Sequence, residues 1–94
     1  MAANLRNLNL SGANLSGANL TKANLTRTNL RGANLTDAIL IGADLTETNL
    51  TNANLTNANL KDINLSNANL SHPSLRGATL RDGVSPNLLS NQVN

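Results

Sequence analysis

Leucine stands at residue 5 and at every fifth residue from there through residue 80, sixteen times without a miss. An α-helix turns about 100° per residue, so a five-residue step rotates roughly 140° and scatters these leucines around the axis. A strand alternates faces at every residue, so an odd period throws successive leucines to opposite sides. Neither element hides this pattern from water. The chain must instead bend once per repeat, so that each leucine returns to the same side.

Set out as five columns, the repeats show how. Two residues before leucine the side chain is small in most units (Ala3, Ala13, Ala23 and eight more), with Leu8, Thr28, Thr48, Ile63 and Pro73 as exceptions. The residue before leucine is Asn in twelve units, and Ile39, Asp44, Ser74 and Thr79 fill the rest. After leucine come Ser, Thr, Arg or Lys, except at Ile41. The last column is Gly, Asn or Asp in twelve of sixteen units, the residue types that best tolerate positive φ at the third position of a type II turn. Lys22, Arg27, Glu47 and His72 break that rule, which predicts a different turn at those corners. All twelve charged residues avoid the leucine and alanine columns. Two columns therefore point inward and three toward solvent.

The unit Ala-Asn-Leu-Thr-Asn at 53–57, nearly repeated at 58–62, resembles the pentapeptide-repeat family, whose pattern is A(D/N)LXX. The resemblance spans residues 3–82. It implies an all-β fold, a right-handed quadrilateral β-helix (a β-solenoid) with four coils of four pentapeptides. Its core would be Leu5, Leu10, Leu15, Leu20, Leu25, Leu30, Leu35, Leu40, Leu45, Leu50, Leu55, Leu60, Leu65, Leu70, Leu75 and Leu80. Twenty-residue echoes agree: Thr28 would stack under Thr48, and Arg27 under Glu47. Asparagine ladders such as Asn9, Asn29, Asn49 and Asn69 are expected between coils.

Residues 1–2 form a short N-terminal extension and 83–94 a cap or tail. Ser85 suits a helix N-cap and Pro86 the first helical position, so a short C-terminal capping helix is one expectation. Leu88, Leu89 and Val93 would then cover the last coil; the alternatives are a dimer contact or a disordered tail. At the other end, Leu8 is expected to fill part of an open leucine layer. End-to-end homodimerisation or stacking on another solenoid follows from that face.

Composition limits function. Net charge is +2 in 94 residues, with no cysteine and no aromatic side chain. Disulfides and thiolate chemistry are excluded, and no aromatic is present to stack on bases. No apolar run approaches the roughly 20 residues of a membrane span, and the start lacks a signal-peptide pattern; a cytoplasmic location is the expectation. His72 has no second ligand or orienting carboxylate near it in sequence, and Ser71 beside it is sent to solvent. No catalytic, cofactor or metal residue is assigned. The sharpest anomaly is Ile39 and Ile41, apolar residues in outward columns on either side of inward Leu40. They are candidates for contact with a protein partner. The leading expectation is a non-enzymatic interaction module. The alternatives are binding of nucleic acid or another anionic surface through Lys61, Arg76 and Arg81, and DNA mimicry toward gyrase, which the family includes. Asp62 and Asp82 beside those basic residues disfavour the first, and the positive net charge and short length disfavour the second.

Overall fold

A computed structural model of the chain describes residues 2–79. The backbone winds as a parallel solenoid with twenty residues per coil. Residues 3–22 form the first coil, 23–42 the second and 43–62 the third; the fourth begins at 63. Twelve parallel bridges join residues one coil apart, in four ladders. They run Asn4–Asn24–Asp44–Asn64, Asn9–Asn29–Asn49–Asn69, Asn14–Asn34–Asn54–Ser74 and Asn19–Ile39–Asn59–Thr79. Each face of the tube thus contributes one bridging residue per coil, between two bends.

The bends are alike. Every last-column residue from Asn7 to Gly77 has positive φ, between 55° at His72 and 71° at Gly17 and Gly77. Lys22, Arg27, Glu47 and His72 do so at 59°, 58°, 58° and 55°, and no second turn type serves those corners. That corrects the sequence expectation: coil closure imposes the left-handed conformation on whatever residue stands there. An L-residue held in it costs about 1–2 kcal/mol, which the surrounding ladders must offset. In most units the turn is closed by the alanine-column N–H donating to the leucine carbonyl, as from Ala13 to Leu10 at 3.0 Å. Pro73 has no N–H to donate and stands in the last coil.

Between coils, leucine N–H groups donate forward and bridging-residue N–H groups donate back. Leu30 N–H reaches the Asn49 carbonyl at 2.8 Å, and Asn49 N–H reaches the Thr28 carbonyl at 3.0 Å. Corner N–H groups add a third bond, such as Gly32 to the Thr51 carbonyl at 2.8 Å. Leu25 through Leu60 are fully or almost fully buried, as are Ala23, Ala33, Ala38, Ala43, Ala53 and Ala58. Leu5, Leu10, Leu15 and Leu65 are only partly buried because they lie in the outer coils. Leu8 is 44 % exposed, so it covers the first layer only in part.

Two inward positions are polar. Thr28 and Thr48 are completely buried, and their hydroxyls donate to the carbonyls of Leu5 (2.7 Å) and Leu25 (2.6 Å) in the coil before. The stacking of Thr28 under Thr48 follows the expected twenty-residue echo. So does an exposed ion pair from Arg27 Nε to Glu47 Oε1 at 3.2 Å, an arrangement worth little at the surface. Leu80, the expected lid residues Leu88, Leu89 and Val93, and the capping helix lie outside the described residues.

The turn geometry yields a prediction. A Cβ built on Gly12 meets nothing within 4 Å, so a substitution there reports backbone strain alone. Gly12→Ala is expected to destabilise by about 1 kcal/mol, and His72→Gly to stabilise by about 0.5–1 kcal/mol. Urea unfolding of the two variants checks both signs.

Candidate functional site

A repeat without proline has five backbone N–H groups, and in the middle coils turn and ladder bonds account for four of them. The fifth, on the residue after leucine, points to no carbonyl. In thirteen repeats a side chain answers it: Oδ1 of the residue before leucine accepts from the N–H two positions on. Asn34 Oδ1 takes Thr36 N–H at 3.0 Å, and Asn49 Oδ1 takes Thr51 N–H at 3.0 Å. Where the next residue is Thr or Ser its hydroxyl often joins, as from Thr51 at 2.6 Å. These are Asx turns, in which a side-chain oxygen stands in for a backbone acceptor. The expected ladder from Asn9 to Asn69 therefore takes another form: the backbones stack, while each Oδ1 closes its own repeat.

Asp44 plays the same part with a carboxylate. The Thr46 hydroxyl and the Thr46 backbone N–H both donate to its Oδ1, at 2.5 and 3.0 Å. The hydroxyl bond first, then the backbone bond, hold its pKa below the ordinary aspartate value. Partial burial opposes them, and a weaker hydrogen bond from Thr26 assists.

Against this rule Ile39 stands out. It bridges Asn19 below and Asn59 above but has no acceptor to offer. Ile41 N–H consequently has no hydrogen-bond acceptor among the described residues. The same gap occurs at Arg76, behind Ser74, in the last coil; Ser74 Oγ instead lies 3.2 Å from Thr56 Oγ1. Ile39 is 37 % exposed and Ile41 half-buried. Both lie on the fourth face of the tube, in the second coil. The Ile41 carbonyl accepts from Lys22 N–H at 2.7 Å, and Gly42 N–H donates to the Lys61 carbonyl at 2.9 Å, so Lys22 and Lys61 border the isoleucines from the coils on either side. The Lys22 side chain lies close over Gly42, its Cγ 3.3 Å from where a Cβ would stand.

The other sequence candidates do not converge. His72 is exposed and Ser71 half-buried, with the Ser71 hydroxyl donating to Asn69 Oδ1 at 2.8 Å. Lys61 and Arg76 occupy different faces and coils, and Arg81 lies outside the described residues. Among the described residues no group of three or more His, Cys, Asp or Glu could hold a metal ion, and no helix is long and apolar enough to cross a membrane. An apolar void of about 10 Å³ lies among Leu45, Leu50, Leu55, Leu60, Ile63, Leu65 and Leu70. It is lined by carbon and about the size of a single water, with no polar partner to hold one.

The Asx turns are the feature that sequence reading passed over. Their signal is a recurrent Asn two residues before a position that otherwise lacks an acceptor.

The family model described as pentapeptide repeats matches in eight copies, over residues 1–37, 28–67 and 48–82. Among solved structures, a pentapeptide repeat protein from the thylakoid lumen of Arabidopsis thaliana is 33% identical with a TM-score of 0.53, covering 85% of this chain and 59% of its own. Rfr23, a pentapeptide repeat protein from the cyanobacterium Cyanothece, is 35% identical at a TM-score of 0.49, over 86% of this chain and 52% of its own. HetL from the cyanobacterium Nostoc, a pentapeptide repeat protein involved in heterocyst differentiation regulation, is 36% identical at 0.42, over 86% and 42%. The chain thus spans between 42% and 59% of the length of these three structures. No curated protein matches it significantly.

Two predictions follow from the Asx accounting. Ile39→Asn restores the missing acceptor and is expected to add about 1 kcal/mol, raising Tm by roughly 4–8 °C in a domain of this size; differential scanning calorimetry measures it. Asp44, whose folded pKa is depressed, contributes stability that is present above its unfolded pKa of about 3.9 and fades as pH falls through the folded value. Asp44→Asn, which keeps the acceptor and drops the charge, should therefore lose less Tm than the wild type between neutral pH and about pH 3.

Proposed function

Because the chain belongs to the pentapeptide-repeat family, we propose that it is a non-enzymatic interaction module that binds a protein partner through Ile39 and Ile41. The right-handed sense of winding and the quadrilateral outline that the family resemblance implies are part of this proposal. The interior supports the non-enzymatic reading: it is packed with leucine, and among the described residues no buried side-chain polar atom lacks a partner. A cytoplasmic setting belongs to the same reading as an expectation.

One observation carries the choice of face. At Ile39 the chain forgoes a hydrogen bond that thirteen other repeats make, at a cost of about 1 kcal/mol, and it exposes apolar surface in exchange. A position where a chain breaks its own local rule is a candidate for a functional or strained site. Random loss of an Asn would also remove the bond, but here two outward columns turn apolar in the same repeat. The basic residues offer no comparable convergence, and a net charge of +2 does not suit mimicry of DNA.

The test uses a variant that the repeat pattern itself prescribes. Ile39→Asn/Ile41→Thr matches the neighbouring units and should fold at least as stably as the wild type. In affinity capture from the source cell, a partner held by the wild type is expected to be lost from the double variant. Identical captured bands would retire the isoleucine face.

A further inference from the structure

The patch around Ile39 has a composition that narrows what could bind it. An unanswered backbone donor, Ile41 N–H, lies beside two isoleucine side chains. Lys22 and Lys61 stand on either side of that repeat, and neither pairs with a carboxylate among the described residues. Asp62, next to Lys61, is the acidic residue of the neighbouring corner. Elsewhere on the tube the same backbone donor is met by an Asn amide oxygen or, at Asp44, by a carboxylate that also draws in the Thr46 hydroxyl.

We infer that the fourth face between Lys22 and Lys61 binds an extended peptide segment carrying an Asp or Glu next to a large apolar residue. The peptide carboxylate accepts from Ile41 N–H, supplying from outside the acceptor that Ile39 removed. Lys22, whose side chain lies over Gly42 and pairs with no carboxylate among the described residues, favours a negative acceptor over a neutral one, and Lys61 adds to it against the opposing charge of Asp62. A hydrogen bond to a charged group is stronger than one between neutral groups, and the partly enclosed donor gains from it. The apolar neighbour of the carboxylate covers Ile39 and Ile41. This inference rests on the reading of the isoleucines as a protein contact and adds the chemistry of the partner. It separates the site from Arg76, whose N–H likewise meets no acceptor among the described residues but whose repeat places Ser74, not an apolar residue, in the outward column before leucine.

The test is a titration of the isotope-labelled full chain, followed by amide and methyl NMR, with the peptide acetyl-Gly-Asp-Leu-Leu-Gly-amide. A second peptide has alanine in place of the aspartate. The Ile41 amide is expected to shift most, with saturation. Affinity should fall about tenfold or more, the scale of one charge-assisted hydrogen bond, both for the alanine peptide and for the Ile39→Asn protein. The inference is overturned if the aspartate peptide does not bind, leaves the Ile41 amide unmoved, or binds no better than the alanine peptide. It is also overturned if methyl contacts in the free chain place Leu88 or Leu89 on Ile39, since the occupant would then be the chain's own C-terminal segment. The broader reading fails differently. Should affinity capture lose a partner in the double variant while the aspartate peptide fails, protein binding stands and only the acidic chemistry falls.

Discussion

A turn with positive φ at its third residue, closed at most corners by a hydrogen bond from the alanine-column N–H to the leucine carbonyl, recurs every five residues and determines nearly everything else. It returns each leucine to the interior and each bridging residue to the same height on its face. Fifteen consecutive corners adopt it, including four whose side chains disfavour it. That uniformity is forced. A single corner of another type would rotate all later leucines out of the layer, and the loss of one buried leucine, about 2–5 kcal/mol, exceeds the strain at one corner.

Once the corners are fixed, the polar backbone has few choices. Its donors and acceptors in a tight tube cannot go unpaired cheaply. Two sets of N–H groups pair with the next coil, one with the coil before and one within the turn. The fifth set can be met only by a side chain one residue before leucine that is short and carries an acceptor. Asn and Asp fit, and their prevalence in that column is a backbone requirement more than a surface preference. From the same requirement, Ile39 becomes a local deficit in an otherwise closed accounting, and the surface around it acquires a defined chemistry.

Much of this was legible in the residues. The leucine period excludes helix and plain strand, and the column polarity separates inside from outside; the burial of Leu25 through Leu60 agrees with both. Thr28 under Thr48 and Arg27 beside Glu47 gave the twenty-residue register in outline, although four-sided closure leaned on the family resemblance. What was hidden is conformational. Residue type alone makes Lys22, Arg27, Glu47 and His72 poor candidates for positive φ, and only the closure of the coil overrides that preference. Leu8 was expected to fill the first layer only in part, and it is 44 % exposed because an end coil has no neighbour on one side to bury it. Asn looked like a solvent-facing residue because its hydrogen bond goes to its own chain, which no column alignment displays. The outward isoleucines were visible from the start, whereas the unanswered Ile41 N–H beside them emerged only from the bonding pattern.

Native-state amide hydrogen exchange examines the central claim, that turns and stacked coils close the backbone with a five-residue rhythm. The account predicts strong protection at Leu25, Leu30, Leu35 and Leu40 and at the bridging residues Asn29, Asn34, Asp44 and Asn49. It predicts Asx-bonded amides such as Thr36 and Thr51 slower than Ile41, which should exchange fastest of its column in the middle coils. Protection in unbroken runs, as in a helix, or an Ile41 amide as slow as Thr51, would contradict it.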